Sequence, residues 1–179
     1  MTNDKRGESP RELVGVIFQG KGRSKDRRQM AEDRRESRSD QRGYVSELQE
    51  LLDFAVDAAW QAGRITLGHF QTGVAVETKA DDSPVTIADK NAELKLREMI
   101  KQQYPNDGII GEEHGEEEGA TGRRWIVDPI DGTKAFVAGV PLYGTLIGVE
   151  IDGEPTIGVC NLPGLNEMTY AAKGLGTWW

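Results

Sequence analysis

The sequence predicts an α+β domain, with helices packed in a layer on a mostly antiparallel sheet. Three observations carry this. Apolar residues recur three and four apart between residues 45 and 65, and again between 87 and 100. Beyond residue 107 the pattern changes to short apolar runs bounded by turn residues. Two of those runs, 145–151 and 156–160, flank Asp152-Gly153, a strong hairpin signal. Helices first and antiparallel runs afterwards describe two layers around one core.

Taken in order, residues 1–43 read as a disordered charged tail. They hold 12 Lys+Arg and 8 Asp+Glu, a net +4, and their one apolar patch, 13–18, is short and isolated. The folded domain is expected over 44–179. Val45, Leu48, Leu51, Leu52, Ala55, Ala58, Ala59, Ala62 and Ile65 mark the buried stripe of a first helix. Ser46 is its expected N-cap, with Gln49 three later, and the stretch from Gly68 to Gly73 ends it. A short strand follows through Val74, Ala75, Val76 and Thr78, then a turn at Asp81-Asp82-Ser83-Pro84. The second helix is expected to open near Thr86, to carry Ile87, Ala88, Ala92, Leu94, Leu96, Met99 and Ile100, and to stop at Tyr104-Pro105. Strands at 108–111 and 125–128 bracket 112–122, rich in Glu and Gly and expected to be an exposed mobile loop. A third run at 167–172 adds a strand to the hairpin.

A chain of 179 residues fits one domain with a real core. Mean hydropathy is −0.56 and no apolar run approaches membrane-spanning length, so a soluble protein without a membrane partner is expected. The charged N-terminus lacks an apolar signal core, which points to the cytoplasm. The lone Cys160 lies in an apolar run and is expected to be a buried structural thiol. The net charge of −8 is unevenly spread, since 44–179 hold 10 Lys+Arg and 22 Asp+Glu. An acidic domain argues against nucleic acid as the main partner. It suits a cation site equally with a solvated acidic surface.

The most informative stretch is WIVDPIDGTKAFVAG, residues 125–139. An apolar run ends in Asp128. Asp131 follows three positions later, then Gly132 and Thr133. Carboxylates are hard oxygen ligands suited to Mg²⁺. Glycine allows backbone N–H groups to approach phosphate oxygens, and a helix opening at the turn would favour an anion further. Asp131-Gly132 alone would read as an ordinary hairpin turn. Two features favour the site. Asp128 closes an apolar run, where an acid is costly unless paired or metal-bound. Gly111-Glu112-Glu113 follows the apolar pair Ile109-Ile110, giving a second strand-end carboxylate.

The combination of GEE with WIVDPIDGTKAF resembles the inositol monophosphatase family of Mg²⁺-dependent phosphatases, over about 44–179. GVPLYGTLI at 139–147 is more similar to its histidinol-phosphatase branch. Haloacid-dehalogenase-type phosphatases carry Asp-x-Asp-Gly-Thr, but here the acids stand one residue further apart. In a regular strand side chains two apart share a face and those three apart do not. That rival also leaves Glu112 and Glu113 unexplained.

The resemblance implies a small phosphorylated metabolite as substrate, two or three Mg²⁺ ions, and a homodimer at full length. It implies Glu112, Asp128, Asp131 and the carbonyl of Ile130 as metal ligands. Gly132 and Thr133 would meet the phosphate through backbone N–H groups. The Thr133 hydroxyl, paired with Asp89, would orient and deprotonate the attacking water. Read from sequence alone, Asp89 is better explained as a first-turn helix acid, and only the resemblance lifts it to this role. Glu113 would stand behind the ligands, and Lys79 matches a lysine near the site, though a solvated lysine fits as well. His69 and His114 read as surface residues. A further metal-ligating Asp of that family, in a Trp-Asp motif, has no counterpart, so the chain reads as roughly the first two thirds of such an enzyme. Histidinol phosphate is the expected substrate, with inositol phosphate as the alternative. The alternative for this chain alone is an inactive fragment that at most binds metal or a partner chain.

Overall fold

The computed structural model describes residues 27–80 and 84–179, with side chains from residue 41 onward. The chain divides into a unit ending at Arg42 and a compact unit, Gly43–Trp179, which holds the core and every candidate site residue.

Helix α1 spans Arg27–His69. It therefore does not open at Ser46. Residues 27–42 contain no glycine or proline and are built of Arg, Glu, Gln and similar residues, which favour helix without needing burial. The expected tail is thus helical from Arg27. Its remainder, 1–26, and the turn at 81–83 lie outside the described residues. The apolar stripe of α1 is confirmed from Leu48 to Ala62: Leu48, Leu51, Leu52, Ala55, Ala58, Ala59 and Ala62 are buried. Small residues in its second half let the sheet approach closely. The Cβ of an alanine at Gly63 would lie 2.2 Å from the Asn161 amide nitrogen, which donates to the Ala59 carbonyl at 3.0 Å.

Strands β1 (Val76–Thr78) and β2 (Pro84–Thr86) pair antiparallel as a separate two-stranded sheet. They lead straight into α2, Ile87–Gln103. Thr86 is its N-cap and Asp89 closes a capping box, and the helix ends at Tyr104 as expected. Its buried face is Ala88, Asp89, Ala92, Glu93, Leu96, Arg97, Met99 and Ile100. Ile87 and Leu94, expected on that face, are exposed. The stripe runs through 89, 93 and 97 instead, so three charged residues are buried.

The main sheet has seven strands in the order β4-β3-β5-β6-β7-β8-β9. Its members are β3 (Gly108–Gly111), β4 (Gly115–Glu117), β5 (Arg123–Asp131), β6 (Gly144–Ile151), β7 (Glu154–Leu162), β8 (Glu167–Ala172) and β9 (Gly176–Trp178). A five-residue helix, α3 (Thr133–Val137), follows β5. All neighbours are antiparallel except β3 and β5. The hairpin expected at Asp152-Gly153 joins β6 to β7, with positive φ at both residues (51° and 82°), as a type I′ turn requires. The segment 112–122 is not simply a loop: it contains β4, which turns back on β3 and forms the sheet edge. β9 was also not foreseen.

One face of the sheet packs on α1 and α2. Ile109, Trp125, Val127, Ile147, Val149, Ile157, Val159 and Ala172 alternate inward along their strands and meet the stripes of both helices. Phe54, Tyr104 and Trp125 form an aromatic triad at 5.1–5.4 Å between ring centroids. Asp107 accepts the Trp125 indole N–H at 2.9 Å and the Arg123 Nε–H at 2.5 Å. The opposite face carries Ile126, Asp128, Gly148, Gly158 and Cys160 around an open depression of about 410 Å³. Cys160 is consequently only half-buried, contrary to expectation.

Candidate functional site

Three elements bring the expected acids to one end of the sheet. The parallel pairing of β3 with β5 matches Gly111 to Val127, and the Glu112 N–H donates to the Val127 carbonyl at 3.3 Å. Both strands run the same way, so Glu112 and Asp128, the residues just past the last pair of their ladder, sit side by side. This is the physical content of two strand-end acids in one chain.

The spacing between Asp128 and Asp131 is resolved by a β-bulge. Asp128 pairs with Leu146 and Asp131 with Gly144, so that two residues on β5, Pro129 and Ile130, stand against one on β6, Thr145. The extra residue restores a common face to acids that a regular strand would turn apart. The bulge is held internally: Ile130 N–H donates to Asp128 Oδ1 at 3.1 Å, and Thr145 donates its hydroxyl to the Pro129 carbonyl at 2.9 Å. Ile130 is buried in a second small core with Ala88, Phe136 and Tyr143. That core fixes the turn from below.

Gly132 caps α3 with φ 90°, in the left-handed region that only glycine adopts freely. The expected helix N-terminus is thus one short turn. Thr133 donates its hydroxyl to the Ile130 carbonyl at 3.0 Å and lies 3.4 Å from Asp89 Oδ1. Asp89 Oδ2 accepts from the Thr86 N–H at 2.8 Å and the Thr86 hydroxyl at 2.6 Å. Asp89 therefore caps its helix with one oxygen and faces Thr133 with the other.

Lys79, at the end of β1, places its ammonium 2.7 Å from Glu112 Oε1 and 2.8 Å from Glu113 Oε1. Burial pulls the Lys79 pKa down, but hydrogen bonds and charge from both glutamates outweigh it, so it stands above that of an ordinary lysine. Glu113 is pushed up by burial, against Lys79. Asp128 is pushed up to about 7, first by burial and then by the charges of Glu112 and Asp131. Asp128 is thus raised mainly by its own burial, with the charges of Glu112 and Asp131 adding to it, and the Lys79 ammonium is spent on Glu112 and Glu113. Oxygen donors alone, in that condition, fit a hard divalent cation. Among the described residues no three His, Cys, Asp or Glu side chains are gathered closely enough to form a ready metal shell. His69 is not among these groups, and His114 is exposed beside Glu93.

Sequence reasoning missed Glu93, Arg97 and Thr145. The readable signal for the first two was an acid and an arginine four apart, in register with Ala92, Leu96 and Ile100.

Comparison with known proteins agrees with this geometry. The model of the inositol monophosphatase family matches residues 47–179. A histidinol-phosphatase of Chlorobaculum parvum is 47% identical over 126 residues, covering 70% of this chain and 49% of the relative. A histidinol-phosphatase of Mycobacterium tuberculosis is 43% identical over 120 residues, 67% of this chain and 45% of the relative. The crystal structure of extragenic suppressor protein SuhB from Bartonella henselae superposes with a TM-score of 0.69 at 30% identity, covering 72% of this chain and 51% of that one. The chain spans about half the length of the curated relatives it matches, less than the two thirds expected.

Proposed function

The chain belongs to the inositol monophosphatase family, and from that premise we propose that it carries the metal- and phosphate-handling part of a Mg²⁺-dependent phosphomonoesterase acting on histidinol phosphate. The observation that carries the reading is the bulge in β5, which turns Asp128 and Asp131 to one face beside Glu112. The choice of substrate rests on the two histidinol-phosphatases that are 47% and 43% identical.

In this reading Glu112, Asp128, Asp131 and the Ile130 carbonyl hold two or three Mg²⁺ ions. When bound, the ions make a water acidic enough to attack phosphorus and screen the leaving oxygen. The chain's own groups do the rest. Backbone N–H groups of Gly132 and Thr133 meet the phosphate oxygens. Asp89 faces the Thr133 hydroxyl at 3.4 Å and accepts the proton that Thr133 passes on from the attacking water. Lys79 neutralises Glu112 and Glu113, so that the acids survive close packing. The enzyme at its relatives' full length is read as a cytoplasmic homodimer. Among the described residues no helix is long and apolar enough to cross a membrane.

The test is phosphate release from histidinol phosphate and from inositol phosphate, with and without Mg²⁺. It is run on this chain and on a form extended to the length of the relatives. The extended form should prefer histidinol phosphate, and this chain alone should be nearly inactive. Preference for inositol phosphate would move the substrate within the family. No Mg²⁺-dependent release from either compound would overturn the reading.

A further inference from the structure

We propose that Glu93 is a positioning residue for the metal site: its buried carboxylate, anchored by Arg97, fixes the β3–β4 turn and thereby holds Glu112 against Asp128. This rests on the metal role of Glu112 proposed above.

Glu93 is 0% exposed. A carboxylate that far from water needs its oxygens satisfied. Oε2 accepts the Glu113 N–H at 2.7 Å and Oε1 accepts the His114 N–H at 3.0 Å. One side chain of α2 thus binds two successive backbone amides directly after Glu112. Arg97, one helical turn on, donates Nε–H to Glu93 Oε1 at 2.8 Å. It also donates from Nη1 to Glu117 at 2.7 Å and from Nη2 to the Gly115 carbonyl. The pair therefore clasps the turn from both ends, at β4 through Arg97 and at the residues following Glu112 through Glu93.

Gly111 supplies independent support. A Cβ there would sit 2.0 Å from Glu93 Oε1 and 2.7 Å from Arg97 Nη2. The backbone immediately before Glu112 is packed so closely on the Glu93 carboxylate that any side chain there would displace it. A buried ion pair is weak evidence for stability. This one spends its hydrogen bonds on two amides beside the candidate ligand, where a displacement of an ångström matters.

The experiment titrates Mn²⁺ into the whole chain by electron paramagnetic resonance and reads amide hydrogen exchange at Glu113 and His114. The variants are Glu93→Gln, Arg97→Lys, Gly111→Ala and, as a stability control in the sheet core, Val159→Ala. The amide of Glu93→Gln turns an N–H toward an N–H, so one clasp is lost. Mn²⁺ affinity should fall about tenfold, the scale set by groups that orient ligands, and both amides should lose protection. Gly111→Ala should do the same by displacing the carboxylate. Val159→Ala should lower the melting temperature and keep wild-type Mn²⁺ affinity. If Glu93→Gln does not fold, Arg97→Lys carries the test, with a smaller loss expected. Unchanged affinity in Glu93→Gln or its substitute, or an equal loss in Val159→Ala, overturns the proposal and leaves the site reading standing. A wild-type chain that takes up no Mn²⁺ overturns both.

Discussion

Replacing Asp89 by alanine removes a side chain with two tasks, and their sizes can be separated. Its Oδ2 accepts the Thr86 N–H and hydroxyl in a site only 1% exposed. Losing half of a capping box costs about 1 kcal/mol. The Thr86 donors are then left buried without an acceptor, at roughly 1–3 kcal/mol more. Together Asp89→Ala should destabilise the domain by about 2–4 kcal/mol, a fall in Tm of roughly 5–15 °C at this size. Asp89→Asn retains one acceptor oxygen for Thr86 and should cost about 1 kcal/mol. Urea unfolding, followed by the fluorescence of the buried Trp125 and by far-ultraviolet circular dichroism, measures both. Asp89→Ala within about 0.5 kcal/mol of wild type, the range of featureless surface changes, would refute the cap. The second task appears in turnover. In an active extended form, Asp89→Asn should lose about 10²–10⁴-fold in rate despite its small effect on stability. Turnover that merely follows stability would refute the pairing with Thr133.

Further expectations follow from neighbouring groups. Asp131→Asn in an active extended form should lose most activity and bind Mg²⁺ more weakly, as isothermal titration will show; unchanged Mg²⁺ dependence would remove Asp131 from the ligands. Asp107→Ala should cost about 2–4 kcal/mol in urea unfolding, because the indole N–H of Trp125 loses its buried acceptor, while Arg123 keeps Glu47 at 3.2 Å. Asp128 is held near 7 in the folded chain against 3.8 ordinarily. Its folded pKa is raised, so its contribution is fully present below about pH 4 and lost as pH climbs to about 7. Without metal, the Tm of Asp128→Asn should gain on that of wild type as pH climbs through that window, and saturating Mg²⁺ should remove the gain. A metal-free profile identical to that of Asp128→Asn would refute the crowding.

Where local chemistry and tertiary structure ask for the same thing, the sequence was legible. Thr86 and Asp89 announce a helix start that the core also needs, and α2 begins there. Asp152-Gly153 can adopt two positive φ values, and the hairpin forms on them. Glu112, Asp128, Asp131, Gly132 and Thr133 stood out as candidates because strand ends and turn residues coincide with acids, and the structure brings Glu112 and Asp128 side by side and returns Asp131 to the face of Asp128. What escaped reading depends on partners distant in the chain. The spacing of Asp128 and Asp131 could not disclose a bulge, since that depends on which residues of β6 lie opposite. β4 was hidden because Gly115, Glu116 and Glu117 have the composition of a loop and become a strand only beside β3. Glu93 and Arg97 resemble any exposed helical ion pair until the β3–β4 turn lies against them. The start of α1 was misjudged because low apolar content argues against a core, not against a helix.

The parallel contact between β3 and β5 covers only four residue pairs, whereas β6 and β7 share seven. So short a ladder is tied at its start by Asp107, just ahead of β3, which accepts from Trp125 and Arg123 of β5, while past its finish Glu93 ties the β3–β4 turn to α2 and not to β5. The domain therefore has a seam. Under thermal agitation the β3–β4 edge should part from β5 before the antiparallel strands lose their pairing, as regions of few and end-tied contacts open first. Such an opening carries Glu112 away from Asp128 and leaves the bulge with Asp131, Gly132 and Thr133 intact. Any ion that spans the seam binds only the closed form. Its occupancy then reports the fraction of time the edge is shut, and binding and edge closure become one equilibrium measured from two sides.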